Sequence, residues 1–230
     1  MPAPPGKEVR AMFDSIAMRY DFLNRFLSFG IDKYWRKKTL RIINPAPDSK
    51  VLDLCCGTGD LSLEFAKKGC EVVGADFSFE MLSRGPVKSN DLKKPVKWTQ
   101  ADAQQLPFSD NSFDIVSIAF GIRNVEDVPK ALKECLRVLH SGGTLVILEF
   151  FPIQNFFWRN LFRLYFHVIL PILARIVPSG RTGAYNYLPQ SVDGFYSSDE
   201  FYQLLLDAGF SPKQKKMTGG VARLFFCSVK

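Results

Sequence analysis

Between residues 51 and 148 the chain alternates short apolar runs with amphipathic stretches, and this rhythm constrains the fold more than any other feature. Residues 51–54, 71–75, 113–118 and 144–148 read as buried strands, with a shorter strand at 96–99. Residues 59–68 and 78–84 read as helices between them. Asp127 is placed to cap another helix, in which Ala131, Leu132, Cys135, Leu136 and Leu139 recur at helical spacing. Gly142 and Gly143 are expected to stop it. A parallel strand pair needs a long crossover, and each apolar face needs a cover. The expected fold is therefore α/β, a doubly wound, mostly parallel sheet with helices on both faces.

The flanks follow a different pattern. Residues 14–43 are helical in spacing, with Asp32 expected to cap a helix through Trp35, Leu40 and Ile43, and Pro45 and Pro47 following its end. Residues 155–177 are rich in Phe, Leu and Ile, and residues 197–206 read as a capped amphipathic helix. Segments 214–217 and 224–229 suggest a hairpin at a sheet edge. The whole is read as one domain over 1–230, with an N-terminal helical cap at 1–47 and a helical insertion or lid at 151–195.

A chain of 230 residues buries roughly 70–75% of its unfolded surface and needs no disulfide or metal to fold. Its five cysteines include no CxxC pair and it has only two histidines, so no metal site is read. Residues 1–6 lack the basic and apolar regions of a signal peptide. A spanning helix needs about 20 apolar residues; the run at 165–177 is short and broken by His167, Pro171 and Arg175. A soluble protein of a reducing cytoplasm is expected. Thirty basic against 23 acidic residues give a net charge of +7, which favours anionic partners. The basic residues are dispersed, apart from short clusters at 36–38 and 213–216, and form no nucleic-acid module.

The residues richest in chemistry run from Asp53 through Cys55, Cys56, Gly57, Thr58 and Gly59 to Asp60, where a strand turns into a helix. Glycines let a ligand lie against backbone, and the helix start offers free N–H groups. Asp76 ends the next strand, placed to hold the two hydroxyls of a ribose. A dinucleotide fingerprint would need a third glycine where Ser62 stands, and Asp53 and Asp60 would repel its phosphates. They suit a cationic ligand carrying an ammonium group, such as S-adenosylmethionine. Asp102 lies where an acid accepts the adenine amino group, with Ala103 against the ring. A turn that needs glycine only for its shape, an NAD-dependent oxidoreductase and a nucleic-acid binder remain as competing readings.

Asp53 to Gly59, Asp76, Asp102-Ala103, Phe113-Asp114 and the stretch from Arg137 to Gly143 resemble class I S-adenosylmethionine-dependent methyltransferases in order and spacing. Three further pieces resemble one branch, the ubiquinone/menaquinone biosynthesis C-methyltransferases. The first holds Tyr20, Asp21, Asn24, Ser28, Asp32 and Trp35; the second runs from Phe120 through Gly121, Arg123 and Asn124 to Val125; the third is Leu148-Glu149-Phe150. Tyr187, Leu188, Pro189 and Ser191, then Ala208 and Phe210, then Thr218, Gly219 and Gly220, extend the likeness over nearly the whole chain. The chain departs from the branch pattern at Asp32, where His is usual, and at Ala119, where a Ser touches the cofactor.

The resemblance implies methyl transfer from S-adenosylmethionine to a ring carbon of a polyprenyl quinol. Demethylmenaquinol is the expected acceptor, with the benzoquinol precursor of ubiquinone or another lipophilic ring as alternatives. The ring must lose a phenolic proton; lowering a phenol from pKa near 10 to about 7 takes about 4 kcal/mol. The likeness assigns Arg123 to the phenolate oxygen and Asn124 to ring orientation, with Tyr20 and Asp21 closing over the site and Asp21 a proton acceptor. Asp53, Gly57, Thr58, Gly59, Asp76, Asp102, Ala103 and Ala119 are expected to hold the cofactor. No acid occurs between Glu149 and Asp193, where Arg159, Arg163, Arg175 and Arg181 interleave with aromatic residues. That composition suits a peripheral contact with the inner face of a membrane, or a lid around an isoprenoid tail. Oligomeric state is left open, a homodimer included.

Overall fold

The computed structural model describes residues 6–90, 92, 94–153, 156–164 and 184–229. Strand β1 (Lys50–Leu54) is buried from Val51 onward, as a run covered on both faces must be. It pairs in parallel with β2 (Glu71–Asp76) on one side and β4 (Phe113–Ala119) on the other. Outside β2 lies β3 (Lys97–Gln100), and outside β4 lies β5 (Leu139–Phe150), both parallel to their neighbours. Strand β7 (Ala222–Val229) runs antiparallel to β5 and to the edge strand β6 (Phe210–Met217). The sheet order is therefore β3-β2-β1-β4-β5-β7-β6. The chain winds outward from β1 to β3, then returns to β4 on the other side. Between the carboxyl ends of β1 and β4 the winding reverses, and open α/β sheets bind ligands at such a point.

Side chains alternate across the sheet. Leu52, Leu54, Val116 and Ile118 pack beneath α7 (Val128–Val138) and the Ser198–Asp207 helix, through Leu132 and Phe201 among others. Val51, Ile115, Val146 and Leu148 face the other way, beneath α3 (Ile31–Ile43) and α4 (Asp60–Lys67), through Leu40 and Phe65. Helices α1 (Gly6–Ile16) and α2 (Tyr20–Leu27) lie over the carboxyl ends of the strands. Gly6 N–H donates to Glu126 (3.1 Å), Ser78 to Asp14 (2.5 Å) and Thr58 to Asp21 (2.5 Å), so three separate connections tie these helices to the sheet.

Several expectations shift. Asp32 does not cap α3; Gly30, with φ 74°, precedes the helix, and Asp32 sits in its first turn bonded to Arg36 one turn on. Segment 78–84 divides into α5 (Phe79–Leu82), capped by Ser78, and α6 (Arg84–Ser89). Gly142 and Gly143 do not stop α7, which ends at Val138. They lie inside β5, where the register with β4 shifts between Phe113 and Ile115. A Cβ on Gly143 would stand 2.9 Å from the His140 carbonyl oxygen, so the bend needs glycine. Asp127 caps α7, and Ser197 with Glu200 forms a reciprocal capping box at the Ser198–Asp207 helix. Of the insertion, α8 (Phe156–Leu164) and the Ala184–Asp193 helix are described. The apolar run at 165–177 and Arg181 lie outside the described residues, as do residues 1–5.

Candidate active site

Beyond β1 and β4 the backbone takes left-handed conformations that side chains disfavour. Cys55 has φ 54° and Phe120 φ 60°, one on each side of the reversal point. Gly121 is forced, since its Cβ would lie 2.4 Å from that of Cys55. Gly59, at φ 83°, faces the Trp98 indole so closely that a Cβ would meet Cη2 at 2.2 Å. The turn between β1 and α4 is thereby drawn back, leaving a cavity of about 470 Å³ at the strand ends.

That cavity is bordered by Asp53, Gly57, Thr58, Asp76, Asp102, Ala103, Ala119, Asn124 and Tyr20, which the sequence reading placed at the site. Gly59 does not border it; its part is to shape the turn. Asp76 accepts the N–H groups of Gly57 (2.7 Å) and Ser78 (2.8 Å), and burial holds its carboxyl above the ordinary range. A carboxylate so fixed keeps acceptor capacity for a vicinal diol. Asp102 accepts from the Gln104 backbone at 2.9 Å and from its amide at 3.1 Å.

The other acids behave differently from the sequence-based expectation. Asp53 is buried and accepts from Ser62 (2.5 Å) and Ser117 (2.8 Å). Burial pushes its carboxyl from 3.8 up to about 6 against those bonds and the charge of Arg36. Burial alone would raise Asp60 also, yet Lys88 and Arg36 hold it below the usual range. Lys88 binds Asp60, Asp21 (2.9 Å) and Thr58 (3.1 Å), and Arg36 lies 3.9 Å from Asp60. The turn is therefore not the uncompensated acidic surface read from the sequence, because cations distant in sequence fold onto it. Asp21 borders neither cavity and ties α2 to the turn and to α6.

A second cavity of about 330 Å³ adjoins the first, and Tyr20, Arg36 and Phe120 border both. Trp35, Phe150, Trp158, Leu161 and Leu188 make much of its wall apolar. Arg123 borders this second cavity, not the first. Its Nη1 donates to Glu149 and to the Phe120 carbonyl, both at 2.6 Å, and its Nε to Ser191 at 3.3 Å. Glu149 is wholly buried, and burial lifts its carboxyl against the pull of Arg123. Tyr187 donates to the Asn124 side-chain oxygen at 2.9 Å, leaving the Asn124 amide N–H groups to the first cavity. Burial raises the Tyr20 phenol, partly offset by Asn24, Arg36 and Arg123.

Sequence reasoning missed Lys88, Arg36 and the Asp32–Arg36 pair as parts of the site. One signal was present: Asp32 and Arg36 are four apart on one helix face. Lys88 left none, since its partners are 28 to 67 positions away.

The sequence model of the ubiE/COQ5 methyltransferase family matches residues 4–229. The chain belongs to that family. A demethylmenaquinone methyltransferase of Thermus thermophilus is 44% identical to this methyltransferase over 215 residues, covering 93% of this chain and 97% of that protein. A ubiquinone/menaquinone biosynthesis C-methyltransferase of Geotalea daltonii is 41% identical over 226 residues, 96% of this chain and 95% of its own. Among solved structures, a SAM-dependent methyltransferase from Aquifex aeolicus shares the fold with a TM-score of 0.67 at 20% identity, covering 94% of this chain and 98% of the other. Family membership makes this chain a methyltransferase and sets aside the oxidoreductase and nucleic-acid readings.

Proposed function

We propose that this methyltransferase uses S-adenosylmethionine to methylate a ring carbon of a polyprenyl quinol, demethylmenaquinol foremost, in the biosynthesis of menaquinone or ubiquinone. The observation that carries this reading is the pair of adjoining cavities: one holds a ribose-type acid, the other is largely apolar with buried Arg123 and Arg36 in its wall, and three side chains border both. The first cavity fits the donor through Asp76 and Asp102, the Gly57 and Thr58 turn, and Ala103 and Ala119. When bound, S-adenosylmethionine supplies an electrophilic methyl on a sulfonium.

The chain's own residues do the rest by positioning and by charge. The C-methylation is a displacement that needs carbon and methyl in line, so orienting groups contribute most. Asn124, with its oxygen held by Tyr187 and bordering the first cavity, is assigned to orient the ring where it approaches the donor. Arg123 keeps Nη2 without a partner among the described residues and is assigned to stabilise the phenolate oxygen. Tyr20 closes the junction from α2, and Asp21 enters as the strut that holds α2 there, in place of the proton-acceptor role. The whole chain is read as one catalytic unit, with 1–47 as its cap and 151–195 as its lid.

A peripheral contact at the inner membrane face completes the reading. No helix among the described residues is long and apolar enough to cross a membrane. Phe29, in the turn between α2 and α3, Ile31 and Leu161 border the apolar cavity and are themselves exposed, with Arg25 on α2, Lys33 and Lys37 on α3 beside Ile31, and Arg159 on α8 beside Leu161. Incubating the protein with labelled methyl donor and with naphthoquinol and benzoquinol acceptors tests the function. Label in the ring of demethylmenaquinol is expected; label in neither ring refutes the reading.

A further inference from the structure

Building on the quinol reading, we propose that the buried Asp32–Arg36 pair is a second polar anchor of the acceptor cavity. It binds the ring hydroxyl opposite the one assigned to Arg123, and so selects a dihydroxy ring over a monohydroxy one.

Asp32 Oδ2 accepts from Arg36 at 2.5 Å, and both side chains are nearly sealed from solvent, at 7% and 9% exposure. Burying two charges costs several kcal/mol per ion before their attraction is counted, so a pair set into an apolar wall calls for a reason. Asp32 Oδ1 accepts from Ser28 at 2.7 Å. A carboxylate offers about four acceptor positions, so two remain. Among the described residues, Asp32 is the only carboxylate bordering the second cavity. An arginine can only donate, whereas a neutral hydroxyl brought into an apolar cavity also has a proton to place. Asp32 takes that proton in a hydrogen bond. The Thr218 hydroxyl on the same wall already receives the Trp35 indole N–H at 2.8 Å.

Each anchor is held by a buried partner of its own, Arg36 by Asp32 and Arg123 by Glu149. Phe120 and Phe150 stack at 4.7 Å with planes 31° apart. The Arg36 guanidinium lies 5.6 Å from the Phe120 ring centroid, and that of Arg123 lies 5.6 Å from the Phe150 ring centroid. Each ring of this stacked pair thus carries one of the two buried cations. One cation is paired with a carboxylate that borders the cavity, the other with Glu149, which does not. The first couple accepts and donates at a neutral hydroxyl, and the second faces an oxygen that loses its proton. A para-dihydroxy ring matches that asymmetry.

The test compares kcat/KM for a short-chain naphthohydroquinone with that for its monomethyl ether blocked at the oxygen remote from the methylated carbon. Wild-type enzyme is expected to favour the quinol by about tenfold or more, chiefly through KM. In Asp32→Asn and in Asp32→Glu, which keeps the charge but displaces it, that preference should fall several-fold. Binding of S-adenosylhomocysteine, read as a thermal shift, reports that each variant is folded. An unchanged preference in either folded variant, or no preference in the wild type, overturns the assignment of Asp32 while leaving quinol methylation standing. Absence of methylation of every quinol, with donor-site binding intact, removes the quinol reading and this inference together.

Discussion

Glu149 has no exposed surface, and its charge is tolerated because the Arg123 guanidinium and two backbone N–H groups meet it. Arg123→Ala should therefore lower stability by about 3–5 kcal/mol in urea unfolding, the cost of a stranded buried charge. Loss of turnover in that variant alone would not separate catalysis from folding; the donor-induced thermal shift, measured on the same sample, does. Asp53 presents the opposite case, a carboxyl that the fold makes harder to ionise. Its pKa lies near 3.8 unfolded and about 6 folded, so between those values the native state binds more protons than the unfolded one. Stability then falls as pH rises through this window, and the penalty levels off at about 3 kcal/mol above it. Asp53→Asn should gain on the wild type by up to that amount between about pH 4 and pH 7, compared by urea midpoints. A stability gap that stays constant with pH would contradict the assignment.

At the scale of elements, the Trp98 indole on β3 fits against three glycines from different segments. Hypothetical Cβ atoms on Gly59, Gly74 and Gly85 all fall within 2.7 Å of it. Gly59→Ala should cost about 1–3 kcal/mol and weaken donor binding, because both its positive φ and the indole oppose the methyl. A double-mutant cycle with Trp98→Phe should show coupling above about 0.5 kcal/mol; strict additivity would mean that the indole is not the obstacle. This scale also shows how much of the fold could be read directly. The strands, α4, α7 and the capped Ser198–Asp207 helix were legible because their signals are local: apolar period and a capping Asp or Ser. The part played by Gly142 and Gly143 was not. A glycine pair reads as a stop in isolation, and the pairing of β5 with β4 made it a bend inside a strand. Asp32 likewise reads as a cap until Gly30 occupies the preceding turn.

Over the whole molecule, the apolar side chains at the mouth of the second cavity and the basic residues of α2, α3 and α8 make a lipid contact testable. Flotation with anionic vesicles is expected to carry the protein upward, less so at high salt and not with neutral vesicles. Equal partitioning in all three would remove the membrane from the proposal. The sequence by itself determined the winding of the sheet, the glycine-shaped turn after β1, the acids at the ends of β2 and β3, and the family. Each of these rests on short local patterns and their order along the chain, and so survives without tertiary contacts. Tertiary structure alone decided which charges remain uncompensated. Lys88 and Arg36 neutralise Asp60, Glu149 meets Arg123, and Asp32 comes to border the apolar cavity. Electrostatic interaction depends on distance and burial, and neither is defined along a chain until its segments are brought together.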